Sequence, residues 1–391
     1  MASPTPLQRA RAIAPIIEAQ AERAERERTL PAETLKAFSE AGLLRFCLPQ
    51  ELGGADPDFE ETIAVWEEVA RADGSAGWTL MANGSGAAAA GAFLGDQAIE
   101  VIFGGDPAAT VGGQFAPRGV GIPEDGGYRV TGSYSFGSGS GHSRFVSAGF
   151  IPMRDGQPVM AESGLPDMRV GFVPIDQVEF QDNWHVMGLQ GTGSYDYQVS
   201  DALIPEEFSF PLFCREPRRG GEAFRAIFRL GMMPFTGAGH AAFALGVGRR
   251  ALDEVHAMAA ERQRMGDPSP LAGRLTFQKD YAQAEAHLRA ARLLVLDTYR
   301  TAFDASLRGE GATPQERALL RTAAAYATDA AVAACDFAHL RAGTVAIRDG
   351  SALQRCFRDI HTGSQHVFIG EKVYTDSADV LLGNVADNPA L

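Results

Sequence analysis

The chain changes its hydrophobic period twice, and this limits the folds open to it more than any single motif does. From about residue 4 to about residue 103 the apolar residues recur at helical spacing. "LPAETLKAFSEAG" places Pro31 near a helix start and Gly42 at its end, while "DPDFEETIAVWEEVARADG" has acidic residues in its first turn and Arg71 in its last. "GSAGWTLMANGSGAAAAGAF" reads as a helix lined with small residues, which lets another backbone come close. Near Thr110 the period drops to two. "YRVTGSYSF", "RFVSAGF", "MRVGFVPI" and "YDYQVSDALI" alternate apolar and polar residues between Gly, Pro and Asp clusters such as "PEDGG" and "RDGQP". After "PLFCREPRRGGEAF" helices return as four long amphipathic segments joined by short loops, the pattern of an antiparallel bundle. The expected architecture is mainly α with a central β domain: 1–109 helical, 110–215 β, 216–391 a four-helix bundle.

Composition narrows the function. Apolar residues make up 45% of the 391 and charged residues 21%, as in an ordinary globular protein. A formal charge of -14 with no basic stripe repels phosphate backbones and acidic lipid, so neither nucleic acid nor a membrane is an expected partner. Cys47, Cys214, Cys335 and Cys356 lie far apart without a C-x-x-C pair, which signals neither a disulfide framework nor a zinc site. The first twenty residues lack a signal-peptide core, and "GSGAAAAGAFLG" is too short and glycine-rich to span a bilayer. The cytoplasm is the expected compartment.

No Walker loop, H-E-x-x-H or G-x-S-x-G elbow is present. "GAGHAA" follows no convincing strand and has no acidic partner at the usual distance, so it reads as close helix packing rather than a dinucleotide fingerprint. Four other stretches carry hydrogen-bonding chemistry. "YSFGSGSGHSRF" runs an aromatic strand into a glycine and serine turn, where backbone N–H groups, the Ser138 hydroxyl and the face of Phe136 suit a planar heterocycle; an ordinary hairpin loop has the same composition. "NWHVMGLQGTGSYDYQVSDALIPEEF" sets Trp184 before a glycine segment with the Thr192 and Ser194 hydroxyls, although such a tryptophan is more often a core plug. In "AERQRMGDPSP", Arg262 and Arg264 follow the last apolar turn, either gripping a phosphate or solvated at a helix C-terminus. "RDIHTGSQHVFIGEKV" holds polar side chains in an apolar setting, and helical spacing puts Asp359, Thr362 and His366 on one face, beside Arg358. A lone buried histidine is usually structural.

As a set, "ADGSAGWTLM", "GGYRVTGSYSFGSGSGHS", "WHVMGLQGTGSYDYQVSDALIPEE" and "RDIHTGSQH" resemble the acyl-CoA dehydrogenase superfamily over nearly the whole chain. The resemblance implies a helical domain, a β-barrel and a four-helix bundle, assembled as a homotetramer. True dehydrogenases of the family keep a glutamate in a "YEG" motif shortly after "RD"; here an ungapped match places Val367 there, with Glu371 one turn further on. The "GTGS" form and the late His366 instead resemble the flavin-dependent monooxygenase branch, which includes two-component aromatic hydroxylases, dibenzothiophene-type sulfur oxygenases and amino-sugar N-oxygenases. Gln190 departs from that branch's usual "GLRGTGS".

The branch implies an oxygenase component that takes reduced flavin, FMNH2 or FADH2, from a separate NAD(P)H-flavin reductase. It uses no metal, and acts with O2 through a C4a-hydroperoxyflavin on a small aromatic or heteroaromatic substrate. Carried over residue by residue, His366 would hydrogen-bond the peroxide and supply or guide its proton near neutral pH, and Ser138 would face the flavin N5 region. Phe136, Trp184, Thr192, Ser194 and Arg262 would hold the cofactor, and Trp78, Asn83, Gln114, Phe115 and His142 would approach substrate. His142 and His240 could equally be structural. The alternatives are oxygenation at nitrogen or sulfur, an acyl-CoA dehydrogenase using a relocated base such as Glu371, and a scaffold that binds no flavin.

Overall fold

The computed structural model describes residues 3–263, 265–388 and 391; Arg264 lies outside them. Helices α1 (Pro6–Glu27), α2 (Ala32–Glu40), α3 (Phe59–Ala72), α4 (Gly74–Phe93) and α5 (Asp96–Phe103) come first. The starts of α1, α3 and α4 carry side-chain caps from Thr5, Asp58 and Asp73. Thr5 and Gln8 form a reciprocal capping box on α1, and the Asp73 carboxylate accepts the Ala76 N–H at the start of α4.

Eight strands follow: β1 (Val111–Glu124), β2 (Gly127–Gly137), β3 (Phe145–Arg154), β4 (Gln157–Pro158), β5 (Arg169–Pro174), β6 (Val178–Phe180), β7 (Tyr195–Pro205) and β8 (Ser209–Pro211). They form one mixed sheet in the order β6-β7-β2-β1-β3-β5-β8, with β4 beside β3, and the β1–β3 pairing is parallel. The sheet curls around its own core, where Tyr134 and Tyr197 stack at 5.0 Å and the Tyr134 hydroxyl crosses beneath β1 to reach the Gly149 carbonyl on β3. Its path stays open at the three-residue strands β6 and β8.

Where β2 leaves β7, the register advances from Tyr134↔Tyr197 to Gly137↔Tyr195, so β2 carries one extra residue. Bulges of this kind re-aim side chains. Here the bulge swings out Phe136, which sits at φ +64 and is 64% exposed. A non-glycine residue in that region is strained, and the Asp196 carboxylate holds it by accepting the Phe136 N–H.

Helices α6 (Glu222–Leu230), α7 (Met232–Ala259), α8 (Leu275–Leu307), α9 (Pro314–Ala342), α10 (Ala352–Gly363) and α11 (Lys372–Leu381) complete the chain. Helix α7 packs against α3 and α4 as well as against α9, because its small residues admit close neighbours. A methyl on Gly246 would stand 2.4 Å from the Glu67 carbonyl oxygen of α3, and the "GAGHAA" stretch lies in the same buried face.

The fourth bundle segment is not the continuous helix that its spacing predicts. It stops at Gly363, and a run of three-residue turns carries the chain to α11, with His366 N–H bonded to the Gly363 carbonyl and Ile369 N–H to the His366 carbonyl. Glycine and serine at 363–364 are weak helix formers, and the turns supply the hydrogen bonds a helix would otherwise give. His366 therefore does not share a helical face with Asp359 and Thr362.

Candidate active site

Trp78, in the second turn of α4, is the shared wall of the site. Its indole N–H donates to the Ser138 hydroxyl at 3.1 Å. Ser138 lies 2.7 Å from the Ser194 hydroxyl, and Ser194 lies 2.7 Å from that of Thr192. The Thr192 hydroxyl is 2.8 Å from the Leu189 carbonyl oxygen, which can only accept. That contact fixes the direction of the whole chain. Thr192 spends its hydrogen on Leu189, so Ser194 must donate to Thr192, and Ser138 to Ser194. Ser138 thus accepts from Trp78 and keeps one lone pair, but has no hydrogen to offer a ligand.

Leu189 anchors this chain of hydroxyls. It sits at φ +55, its carbonyl also accepts the Trp184 indole N–H, and its own N–H donates to the Asp359 carboxylate of α10 at 2.6 Å. The preceding Gly188 is equally constrained, since a methyl there would stand 2.1 Å from the Arg358 carbonyl oxygen. Burial, and then the nearby Asp73, push the Asp359 carboxyl above its ordinary range, while Arg355 lies 3.4 Å from Asp73. Phe136 meets the Trp184 ring edge-on at 6.2 Å, across the outer rim of the same turn.

Trp78 also meets two imidazoles. Its ring lies edge-to-face against His240 at 5.1 Å, Phe243 at 5.0 Å and His366 at 5.7 Å, and the two histidines lie 4.3 Å apart. Backbone contacts select each tautomer. His240 Nδ1 lies 2.8 Å from the Thr236 carbonyl and must donate to it, which leaves Nε2 a bare acceptor. His366 Nδ1 accepts the Phe368 N–H at 3.3 Å, which places the hydrogen of the neutral ring on Nε2. Burial, and then the Arg321 guanidinium 5.0 Å over the Phe368 ring, lower the His366 pKa to about 4. The His366 imidazole is therefore neutral near pH 7. It offers a neutral N–H rather than the imidazolium proton that its ordinary pKa would supply.

The other candidates are placed as follows. Asn83 is fully buried, with its amide donating to the Val111 carbonyl and its oxygen 2.9 Å from His142 Nε2, so both residues are engaged within the protein. Burial takes the His142 pKa to about 4. Gln114 uses its backbone N–H on the Tyr197 hydroxyl, and its buried side-chain oxygen has no partner among the described residues; Phe115 packs on Phe172 and Phe210. Arg262 is not brought to the site. From His240 to Ala259 the α7 axis rises about 28 Å, and Arg262 lies beyond that end, where it donates to the Thr344 hydroxyl. Gln190 donates to the Val186 carbonyl, closing its own loop. Glu371 and Val367 are both exposed, Val367 by 71%. Sequence reasoning missed Phe243, Arg321, Phe368 and the working surroundings of His240. The one available signal was Phe243, three residues after His240 on the same helix.

These features fit a reduced isoalloxazine. Phe136 and Trp184 offer aromatic surface at the rim, and Ser138 offers an acceptor for the N–H that the flavin N5 carries only when reduced. Among the described residues, no three His, Cys, Asp or Glu side chains gather to hold a metal ion, and no helix is long and apolar enough to cross a membrane. A helical domain, a curled mixed sheet and a helical bundle closing on a hydroxyl-lined seam define a flavoprotein of the acyl-CoA dehydrogenase fold.

Comparison with known proteins carries this further. Residues 9–99 match the family model "Acyl-CoA dehydrogenase, N-terminal domain", and residues 238–371 match "Acyl-CoA dehydrogenase, C-terminal domain". Indole-3-acetate monooxygenase of Pseudomonas putida is 30% identical over 362 residues, covering 92% of this chain and 89% of that protein. The flavin-dependent monooxygenase oxygenase subunit HsaA of Mycobacterium tuberculosis is 28% identical over 365 residues, covering 90% and 88%. The crystal structure of 3-HSA hydroxylase from Rhodococcus sp. RHA1 superposes with a TM-score of 0.89 over 100% of both chains at 24% identity, which establishes the shared fold. The chain belongs to the acyl-CoA dehydrogenase superfamily and, within it, to the oxygenase components of flavin-dependent monooxygenases.

Proposed function

We propose that this oxygenase works on a small aromatic or heteroaromatic substrate and receives its flavin already reduced, from a separate NAD(P)H-flavin reductase. The observation that carries the reading is the one-way chain of hydroxyls from Trp78 to Leu189, which leaves Ser138 able only to accept. When bound, reduced flavin would supply the two electrons that activate O2, one atom of which goes to the substrate while the other leaves as water. The protein does the rest. Ser138 orients the ring edge, Thr192 and Ser194 fix the direction of the Ser138 hydroxyl, and Phe136 and Trp184 flank the cofactor. His366 presents its Nε2–H toward the reacting oxygen as a hydrogen-bond donor, and Trp78, Phe243 and Phe368 keep water away. Trp78 and Phe115 are proposed as aromatic walls and Gln114 as a polar contact for substrate, with Asn83 and His142 supporting them from behind.

Arg262 is proposed to hold a flavin phosphate of a neighbouring copy in a homotetramer, because it lies too far along α7 to serve its own. The exposed Leu293 and Leu294 of α8 and Leu319 and Tyr326 of α9 offer apolar surface for that assembly. The test supplies NADH, a flavin reductase and 18O2, with 4-hydroxyphenylacetate and indole-3-acetate as probes. One 18O atom is expected in the product, with none formed when the reductase is omitted. Oxidation of an acyl-CoA without reductase, and no label in either probe, would overturn the proposal.

A further inference from the structure

His240 is 2% exposed, yet its Nε2 has no hydrogen-bond partner among the described residues. A buried acceptor left in that state is destabilising, so an unfilled one beside the candidate site calls for an explanation. The Thr236 carbonyl already claims Nδ1–H, so the ring cannot switch tautomer to relieve it without breaking that bond. Burial, and then His366, hold the His240 pKa well below its ordinary value, so the nitrogen keeps its lone pair. The neighbouring His366 is fixed the opposite way, with hydrogen on Nε2, and its ring lies 4.3 Å away at an angle of 31°. The two imidazoles are complementary, one donating and one accepting.

Resting on the function proposed above, we infer that His240 is a substrate-binding residue whose Nε2 accepts a hydrogen bond from an O–H or N–H group carried directly on the substrate's aromatic ring. The preferred class is therefore a phenol or a ring N–H heteroarene such as an indole, rather than its O- or N-alkylated counterpart. The chemistry gives this contact a use. Drawing a ring hydroxyl or ring N–H toward a base raises electron density on the adjoining carbons, and oxygen transfer to carbon requires a nucleophilic ring. His366 and His240 then divide the work, one addressing the incoming oxygen and the other the ring that receives it. Trp78, in contact with both histidines and with Ser138, keeps the two functions in register.

The test titrates phenol against anisole, and indole against 1-methylindole, into enzyme loaded anaerobically with reduced FMN or FAD. In the wild type, at least one hydrogen-bearing probe is expected to bind about tenfold more tightly than its methylated twin. The pair that shows the preference identifies hydroxyl or ring N–H as the group recognised. In His240→Phe that ratio should fall to about one, with the methylated probe and the flavin binding within about threefold of wild type. Equal affinity for both members of both pairs in the wild type, or an unchanged ratio in the variant, overturns the assignment. Should His240→Phe misfold, wild-type enzyme with 15N-labelled histidine serves instead: the preferred probe should move the Nε2 resonance of His240, and no movement overturns the inference. Failure of reduced flavin to bind the wild type would strike the proposed function itself, whereas normal flavin binding with flat probe ratios strikes only His240.

Discussion

On the sheet side of Trp78, each hydroxyl from Ser138 to Thr192 has its hydrogen placed within the protein, and the chain ends on the carbonyl of Leu189, whose own N–H donates to the buried Asp359 carboxylate. On the bundle side, His240 buries a nitrogen with no partner among the described residues, and the backbone contact at His366 Nδ1 leaves the hydrogen of its neutral ring on Nε2. A wall whose polar groups are satisfied is preorganised for one rigid visitor, while a wall that leaves them open requires its ligand to complete it. The contrast fits the proposed function, in which the cofactor edge meets the first wall and His240 of the second addresses the substrate.

The largest expected effect comes from breaking the bundle side. His366→Ala should lower product formed per O2 by about 100-fold, in the range of a lost hydrogen-bond donor at a reaction centre, and release the difference as hydrogen peroxide. The dissociation constant for reduced flavin should stay within about threefold. If flavin affinity collapses as well, the two walls are not separate.

Thr192→Val sharpens the sheet side with little change of shape. It removes the acceptor that fixes Ser194, so Ser138 can turn and donate, which suits the bare N5 of oxidised flavin. The ratio of oxidised to reduced flavin dissociation constants should fall by about threefold to tenfold, up to one hydrogen bond. An unchanged ratio would show that the chain does not set the direction of Ser138.

The smallest effect is on pH dependence. His366 has a folded pKa of about 4, below the ordinary 6.5, so between these values the unfolded chain binds more protons. Its contribution to stability is complete above about pH 6.5 and is lost as pH falls toward 4. Melting temperatures across that window should decline less steeply in His366→Gln than in the wild type. Product yield should be flat from pH 6.5 to about 8, since the neutral imidazole is the working form. A yield that follows an ionisation near 6.5 would contradict this.

Much of the architecture was legible because it rests on local pattern. Apolar spacing gave the helical and β regions, and the serine and glycine turn after β2 marked Ser138. The break at Gly363 was hidden because "HTGSQHVFIG" keeps helical apolar spacing through the turns that replace the helix. His366 thus joined the site in a different backbone form from the one its spacing predicts, and a neutral rather than titrating imidazole emerged only once Arg321 and its burial were known. Asp359 was singled out in the sequence, but its partner Leu189 lies 170 residues away, and no periodicity reports so distant a contact. The directed hydroxyl chain and the paired tautomers depend on which oxygen or nitrogen faces which, a property of assembled geometry.

The Leu189 peptide gives the enzyme a mechanical linkage. Its N–H grips a carboxylate one turn before the end of the helix that leads into the His366 loop, and its carbonyl receives the last hydroxyl of the Ser138 series. A shift of that helix end would therefore displace the Ser138 series and the His366 loop together.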